Sequence, residues 1–237
     1  MRYFRGRDRL VSALLVAAGR RQMEIEGFTF DLDFRDGIAR YLALTGILPP
    51  ELPNAVLNDV TKSGMVCVDV GASIGYTAMI MARKARVVYA FEPEPRAYAQ
   101  LVRNVALNGF NVRTEQKACS DQDGTADLYV AGVSSEYSSF RPSGMRGRTE
   151  RVPTIRLDSW LPEPPDLVKI DVEGAEWQVL RGLDGFLPGP IILIETRDGN
   201  TSRFGYRFEE MLAWLEAMDY EVERLGADAI CRYGPTV

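Results

Sequence analysis

The sequence predicts an α/β protein with a doubly wound, mostly parallel sheet. Segments of helical periodicity alternate with short strands, and the strands at 66–70, 87–91, 167–170 and 191–194 are apolar at most positions. Helices bury a parallel sheet on both faces, so its strands read as near-continuous apolar runs. With 237 residues, the chain has room for one such domain and a small appendage. We divide it into an N-terminal helical and strand extension, residues 1–63, and a main domain, residues 64–237.

The extension is predicted to contain short elements. Residues 24–34 alternate apolar and polar side chains, which indicates a strand or a hairpin. Residues 38–46 predict a short helix closed by glycine, and a second helix is expected near 51–60. The apolar stretch at 10–18 is far too short to cross a bilayer. We expect a helix there that lies on the domain, on a membrane surface or on a partner, such as a second copy in a homodimer. We also expect a cytoplasmic protein without a transmembrane segment.

The main domain is predicted to alternate strands and helices. Pro95 begins a helix that has apolar residues at helical spacing and closes at Asn108-Gly109. Helices are also expected to begin near Glu173 and to cover the segment from Phe208 to Leu215. Further strands are predicted at 112–119, 126–130, 152–157, 220–225 and 229–233. The polar excursion at 131–150 is either a plain mobile loop or a lid over a substrate.

Composition excludes several classes of function. The net charge of -5 gives no general attraction to phosphate backbones, so no nucleic-acid partner is expected. Three scattered cysteines are too few for a disulfide framework or a metal cluster. The chain has no histidine, so His-dependent triads and His-ligated zinc are excluded. Any general base must therefore be Asp, Glu, Lys, Tyr or water.

The turn after the first core strand indicates a ligand site. Strand 66–70 leads into the segment GASIGY at 71–76, in which two glycines open a helix, and strand 87–91 then ends at Glu92. Glycines let backbone approach a ligand closely, and a carboxylate at the tip of the second strand can hold both ribose hydroxyls. The turn lacks the second glycine of the G-x-G-x-x-G pattern that suits a pyrophosphate, which counts against an NAD-type oxidoreductase. The pattern favours a nucleoside-type cofactor.

Four predicted strands end in acids, namely Asp69, Glu92, Asp171 and Glu195. The carboxyl ends of parallel strands meet at one edge, where ligands bind near the point at which the strand order reverses. An acidic edge repels a diphosphate and suits a cationic ligand. S-adenosylmethionine carries a sulfonium, an ammonium and a ribose diol, and it therefore matches this edge.

These motifs resemble the FkbM family of S-adenosylmethionine-dependent methyltransferases. The resemblance rests on VDVGASIG at 68–75, AFEP at 90–93, KACSD at 117–121 and KIDVEGAE at 169–176, and it extends from about Gly37 to Glu195. Ser73 departs from the family, which more often has asparagine there. The resemblance implies a seven-stranded sheet with an antiparallel last strand, in which strands one and four are neighbours. It implies a cofactor site formed by Asp69, Gly71, Ala72, Ser73, Gly75, Tyr76, Glu92, Pro93, Ser120, Asp121 and Asp171.

Within that site, the resemblance assigns a part of the cofactor to each motif. Glu92 would bind the ribose hydroxyls, the glycine turn would line the methionine portion, and Ser120-Asp121 would lie beside adenine. Asp69 would lie near the ammonium group or an ordering water. A strand-end acid such as Asp69 can also simply cap the following helix.

The predicted reaction is O-methylation of a hydroxyl on a small molecule, a sugar or a lipid-linked glycan, with S-adenosylhomocysteine as product. Such a transfer requires alignment in a water-poor site, and a carboxylate can accept the hydroxyl proton. Asp171 is the first candidate for this base, followed by Glu173 and Glu195. Alternatively, Asp171, Glu195 and Asp198 could hold a divalent cation through oxygen ligands. A non-catalytic protein of this fold, binding a partner through its N-terminal helix and the 131–150 excursion, is the other alternative.

Overall fold

A seven-stranded sheet forms the centre of the computed structural model. The structure describes residues 14–46, 51–131, 138–141 and 147–234. The strands of this sheet are β3 (Val66–Val70), β4 (Val87–Phe91), β5 (Val112–Glu115), β9 (Leu167–Ile170), β10 (Ile191–Glu195), β11 (Tyr220–Leu225) and β12 (Asp228–Tyr233). Their order is β11-β12-β10-β9-β3-β4-β5, and β12 alone among them runs in the direction opposite to the other six. The expected topology is confirmed, including the adjacency of β3 and β9.

Helices cover both faces of this sheet. They are α1 (Gly37–Thr45), α2 (Glu51–Val60), α3 (Tyr76–Ala82), α4 (Pro95–Asn108), α5 (Leu157–Trp160), α6 (Glu176–Arg181), α7 (Asp198–Thr201) and α8 (Phe208–Glu216). Alternate residues of a strand face opposite sides, so Cys67 packs with Met79 and Leu101 on one face, while Val68 packs with Leu180 and Met211 on the other. All six of these residues are fully buried.

The N-terminal hairpin β1 (Arg20–Ile25) and β2 (Phe28–Asp33) belongs to the same apolar layer as α3 and α4. Side-chain amides on α4 bond to alternate backbone N–H groups of β2. The N–H of Thr29 donates to Asn108 (2.8 Å), that of Asp31 to Asn104 (2.7 Å) and that of Asp33 to Gln100 (2.7 Å). Amides four residues apart lie on one helix face, and they satisfy the edge of β2 that pairs with no strand in the described part of the chain.

The sequence predicted one strand at 112–119, but this segment forms two strands in two different sheets. β5 ends at Glu115, and the chain leaves the sheet to form β6 (Ala118–Cys119) in a separate three-stranded sheet with β7 (Gly124–Ala131) and β8 (Gly147–Ile155). Here the pairing of β6 with β8 replaces continued pairing of β5 with β4. The predicted strand at 152–157 ends at Ile155, and Leu157 begins α5.

Two other predictions were shifted at their ends. The helix expected near Glu173 begins at Glu176, because Glu173 and Gly174 have φ angles of 56° and 110° and form a turn. The 131–150 excursion is shorter than predicted, since β7 reaches Ala131 and β8 begins at Gly147. Of the helix expected at 10–18, residues 14–18 are helical and the rest lies outside the described residues. The homodimer through this helix stays a prediction.

Candidate functional site

The turn after β3 passes very close to the end of β9. Gly71 has a φ of +78°, and a Cβ on it would lie 1.9 Å from the carbonyl oxygen of Asp171. The N–H groups of Gly71 and Ala72 both donate to the carbonyl of Phe91 at 3.0 Å, which ties the turn to the end of β4. Gly75, with a φ of +93°, is the N-cap of α3. Only glycine fits position 71 without displacing backbone.

Glu92, at the tip of β4, is only 8% exposed. Its two carboxylate oxygens accept from the backbone N–H groups of Ser73 (2.9 Å) and Glu94 (2.8 Å). Burial raises the pKa of this carboxyl to about 7, although these two amide donors act in the opposite direction. The contact with Ser73 joins the second strand to the glycine turn, and Glu92, Ser73 and Pro93 line one cavity.

Lys169 on β9 links the carboxylates that end β3 and β9. Its Nζ lies 3.4 Å from Asp69, 3.5 Å from Asp171 and 3.2 Å from the carbonyl oxygen of Gly71. Asp69 is fully buried and also accepts a hydrogen bond of 2.6 Å from Thr77. Burial would lower the pKa of Lys169, but the charges of Asp69 and Asp171 outweigh burial and raise it. The buried Asp69 therefore stabilises the turn through Lys169 and Thr77, whereas Asp171 is partly exposed at the edge of the cavity.

The strand ends on the other side of β9 bring further carboxylates together. One carboxylate oxygen from each of Asp171, Glu173 and Glu195 lies within 4.8 Å of the others. Asn200 donates to both Glu173 (2.9 Å) and Glu195 (3.2 Å). The Nε of Arg197 lies 3.0 Å from Glu195.

Burial is the main cause of the raised pKa values in this cluster. The pKa of Glu195 is raised well above its ordinary value, first by burial and then by the charges of Asp171 and Glu173. Asp228 begins β12 directly opposite Glu195 in register. Burial and the charge of Asp171 raise its pKa to about 6.

Two other side chains have structural partners. Glu176, which the sequence indicated as a helix N-terminal acid, is buried and accepts from the N–H of Gly174 (2.9 Å) and the hydroxyl of Tyr206 (3.1 Å). Tyr76 lines the cavity, but its ring stacks on Phe30 and its hydroxyl donates to Glu26 in the N-terminal hairpin. Both residues hold the walls of the site.

The cavity at the carboxyl edge of the sheet has a volume of about 660 Å³. Seven of the eleven cofactor residues implied by the resemblance line it, whereas Asp69, Gly75, Ser120 and Asp121 lie outside its lining. The preceding residues Lys117, Ala118 and Cys119 line it instead. The sequence did not predict the walls contributed by α1, α2 and the described part of the excursion, which are Ile38, Asn54, Leu57, Ser139 and Phe140. It also did not predict that Lys169, Arg197 and Asn200 contact the carboxylates at the strand ends. Nor did it predict that Asp228 is opposite Glu195 in the sheet and lines the same cavity.

The fold and the position of the cavity define a Rossmann-like class I methyltransferase fold. Residues 69–222 match the family model described as the methyltransferase FkbM domain. The chain belongs to this family.

Two relatives illustrate the family. The chain is 31% identical over 143 residues to Methyltransferase 1 of Beauveria bassiana, an overlap of 49% of this chain and 57% of that protein. It is 32% identical over 148 residues to the hexuronic acid methyltransferase AglP of Haloferax volcanii, covering 55% of each chain. The chain thus spans little more than half the length of either relative.

A solved Streptococcus mutans protein, described as a methyltransferase in complex with SAH, has a similar fold. The match has a TM-score of 0.50 and 11% identity, and it covers 78% of this chain and 98% of that one. At this identity the likeness concerns the fold alone. Among the residues that the structure describes, no helix has both the length and the apolar character needed to cross a membrane.

Proposed function

We propose that this chain is an S-adenosylmethionine-dependent methyltransferase that methylates a hydroxyl group on a small molecule, a sugar or a lipid-linked glycan. The observation that carries the proposal is the buried carboxylate of Glu92 beside the glycine turn, in one cavity at the switch point between β3 and β9. A carboxylate at this position suits a ribose diol. Membership of the FkbM family supports methyl transfer over the NAD-type alternative.

The residues of the cavity fit this cofactor. Gly71 lines the cavity with its backbone alone, because a side chain there would collide with the carbonyl oxygen of Asp171. The hydroxyl of Ser73 is buried without a hydrogen-bond partner among the described residues, and it lines the same cavity. We assign the ribose hydroxyls to Glu92, the methionine portion to Gly71, Ala72 and Gly75, and adenine to the neighbourhood of Ser120-Asp121.

Bound S-adenosylmethionine supplies a methyl group already activated by the positive sulfonium. The protein's own task is then to orient an acceptor, exclude water and take up one proton. We assign the proton to Asp171, whose carboxylate faces the cavity and is 42% exposed, so that an acceptor hydroxyl can reach it. Glu195 is less accessible to an acceptor, because it is only 5% exposed and is already paired with Arg197. Glu173 already accepts from Asn200.

A saccharide acceptor has two supports. The relative from Haloferax volcanii is named a hexuronic acid methyltransferase. The cavity also combines polar groups with the aromatic ring of Phe140 and the aliphatic Leu57 and Leu128, which suits the mixed faces of a sugar.

Titration calorimetry with S-adenosylmethionine in EDTA tests the proposal. We expect micromolar binding that is lost in Glu92→Ala and kept in Glu221→Ala, because Glu221 is exposed on β11 at the far end of the sheet. Hydroxylated sugars and lipid-linked glycans are then screened for methyl transfer. Absence of binding by folded protein would refute the cofactor assignment and favour the partner-binding alternative. Binding without transfer to any hydroxyl acceptor would count against O-methylation.

A further inference from the structure

The glycine turn, residues 71–75, is bonded to the N-terminal hairpin through one side chain of α4. Asn104 is fully buried and uses both ends of its amide. Its oxygen accepts from the backbone N–H of Asp31 on β2, and its nitrogen donates to the carbonyl of Ile74 in the turn, each at 2.7 Å. Ile74 lines the cavity. Asn104 therefore connects the hairpin to the backbone that forms the cavity wall.

The backbone on both sides of Ile74 is left-handed. Ser73 has a φ of 50° and Gly75 a φ of 93°. A left-handed backbone is unfavourable for a residue with a side chain, so the conformation of Ser73 persists only where its surroundings hold it. Glu92 holds the turn through the N–H of Ser73 at 2.9 Å. Asn104 holds the turn through the carbonyl of the next residue.

The hairpin also contacts the residue that follows the turn. Tyr76 begins α3 and lines the cavity, its hydroxyl donates to the carboxylate of Glu26, and its ring stacks on Phe30 with the centroids 6.0 Å apart. Arg83, at the other end of α3, donates to the carbonyl of Glu26 and lies 3.9 Å above the ring of Phe28. This second link between the hairpin and the cavity wall does not involve α4.

We propose that the N-terminal hairpin is a positioning element for cofactor binding, which acts on the glycine turn through Asn104 and on α3 through Tyr76. The hairpin precedes residues 69–222, which match the family model, so the proposal adds a role for a segment outside that match. A turn already held in its binding conformation loses less freedom when a ligand binds, and it therefore binds more tightly. The identity of the ligand rests on the proposed function, whereas the ordering of the turn does not.

Asn104→Ala and Gln100→Ala form a matched pair that tests the proposal. Gln100 is also buried on α4 and accepts from the N–H of Asp33 on β2 at 2.7 Å, but no hydrogen bond links it to the turn in the described part of the chain. Both variants lose an amide bond to β2, and only Asn104→Ala frees the carbonyl of Ile74. In calorimetry on the folded proteins, the Kd for S-adenosylmethionine should rise about fivefold or more in Asn104→Ala and less than about twofold in Gln100→Ala.

Hydrogen exchange without ligand measures the order of the turn directly. The N–H groups of Ser73 and Gly75 donate to Glu92 and to the carbonyl of Ala72. They should exchange about tenfold faster in Asn104→Ala and at the wild-type rate in Gln100→Ala. Equal effects of the two variants on exchange and on Kd would overturn the inference. If folded wild-type protein binds no S-adenosylmethionine, the proposed function fails, and equal exchange in the two variants would still overturn the positioning of the turn.

A second pair decides the matter if Asn104→Ala does not fold. Glu26 is exposed, so its substitution leaves the core intact. Glu26→Ala removes the acceptor for the hydroxyl of Tyr76, and the Kd for S-adenosylmethionine should rise about threefold. Glu26→Gln keeps an acceptor oxygen and should restore wild-type affinity. Equal affinities of these two variants would then overturn the inference.

Discussion

Replacing Gly71 with alanine should separate a steric role from a conformational one. Gly71 has a φ of +78°, and a Cβ there would lie 1.9 Å from the carbonyl oxygen of Asp171. A left-handed backbone costs a non-glycine residue about 1–2 kcal/mol. Displacing packed backbone adds about 1–3 kcal/mol. We therefore expect Gly71→Ala to lose about 2–5 kcal/mol of the free energy of unfolding.

Gly46→Ala is the matched control. Gly46 is the C-cap of α1 with a φ of +75°, and a Cβ on it would meet no atom of the described residues within 4 Å. It therefore carries the conformational cost alone, about 1–2 kcal/mol. Urea unfolding of both variants gives the difference, and calorimetry with S-adenosylmethionine tests the site. Gly71→Ala should lose binding, whereas Gly46→Ala should keep it. Equal destabilisation by the two substitutions would refute the inferred contact between the turn and β9.

Three further predictions concern burial. Because the pKa of Glu92 is raised from 4.5 to about 7, the folded protein holds a proton that the unfolded chain releases, so the free energy of unfolding should fall as pH rises through this window. The fall from Glu92 is at most about 3 kcal/mol and should disappear in Glu92→Gln, by urea unfolding between about pH 5 and 8. Asn104→Ala should cost about 2–4 kcal/mol, because it leaves the Asp31 N–H and the Ile74 carbonyl unpaired. Lys169→Met should cost about 3–5 kcal/mol by the same measurement, because the buried Asp69 loses its cation.

Exposed positions on the same elements or of the same residue type serve as controls. Leu107→Ala on α4 and Lys84→Met should each change the free energy of unfolding by less than about 0.5 kcal/mol. A cost for Asn104→Ala no greater than that for Leu107→Ala would show that the amides of α4 do not support β2. A stable Lys169→Met would show that the buried Asp69 does not depend on this cation. If the free energy of unfolding of Glu92→Gln still falls as pH rises, the fall comes from other acids. Asp228, with a pKa of about 6, is the first of these.

The sequence was sufficient for the parts of the fold that depend on local pattern. Continuous apolar runs located the central strands, and the paired glycines with Glu92 located the cavity. These signals are local because a strand buried on both faces and a turn of positive φ each restrict their own residues.

Other parts depend on which segments become neighbours. Asp228 lines the cavity only because β12 runs antiparallel beside β10, which places it opposite Glu195. In the sequence, the amides of α4 are indistinguishable from an ordinary polar helix face. Their function becomes evident only from the contact with the hairpin. A search for Asn and Gln at spacings of four on a helix beside a predicted hairpin would have found that contact.

The role of Glu92 can be measured most directly with S-adenosylmethionine and its 2′-deoxyribose analogue, each bound to wild-type protein and to Glu92→Gln. If the carboxylate binds the ribose, loss of the hydroxyl should weaken binding to the wild type and cost much less in the variant, with a coupling energy of about 1 kcal/mol or more. Independent, additive losses would contradict the assignment of the ribose to Glu92. Failure of either ligand to bind folded wild-type protein would contradict the account of the cavity as a cofactor site.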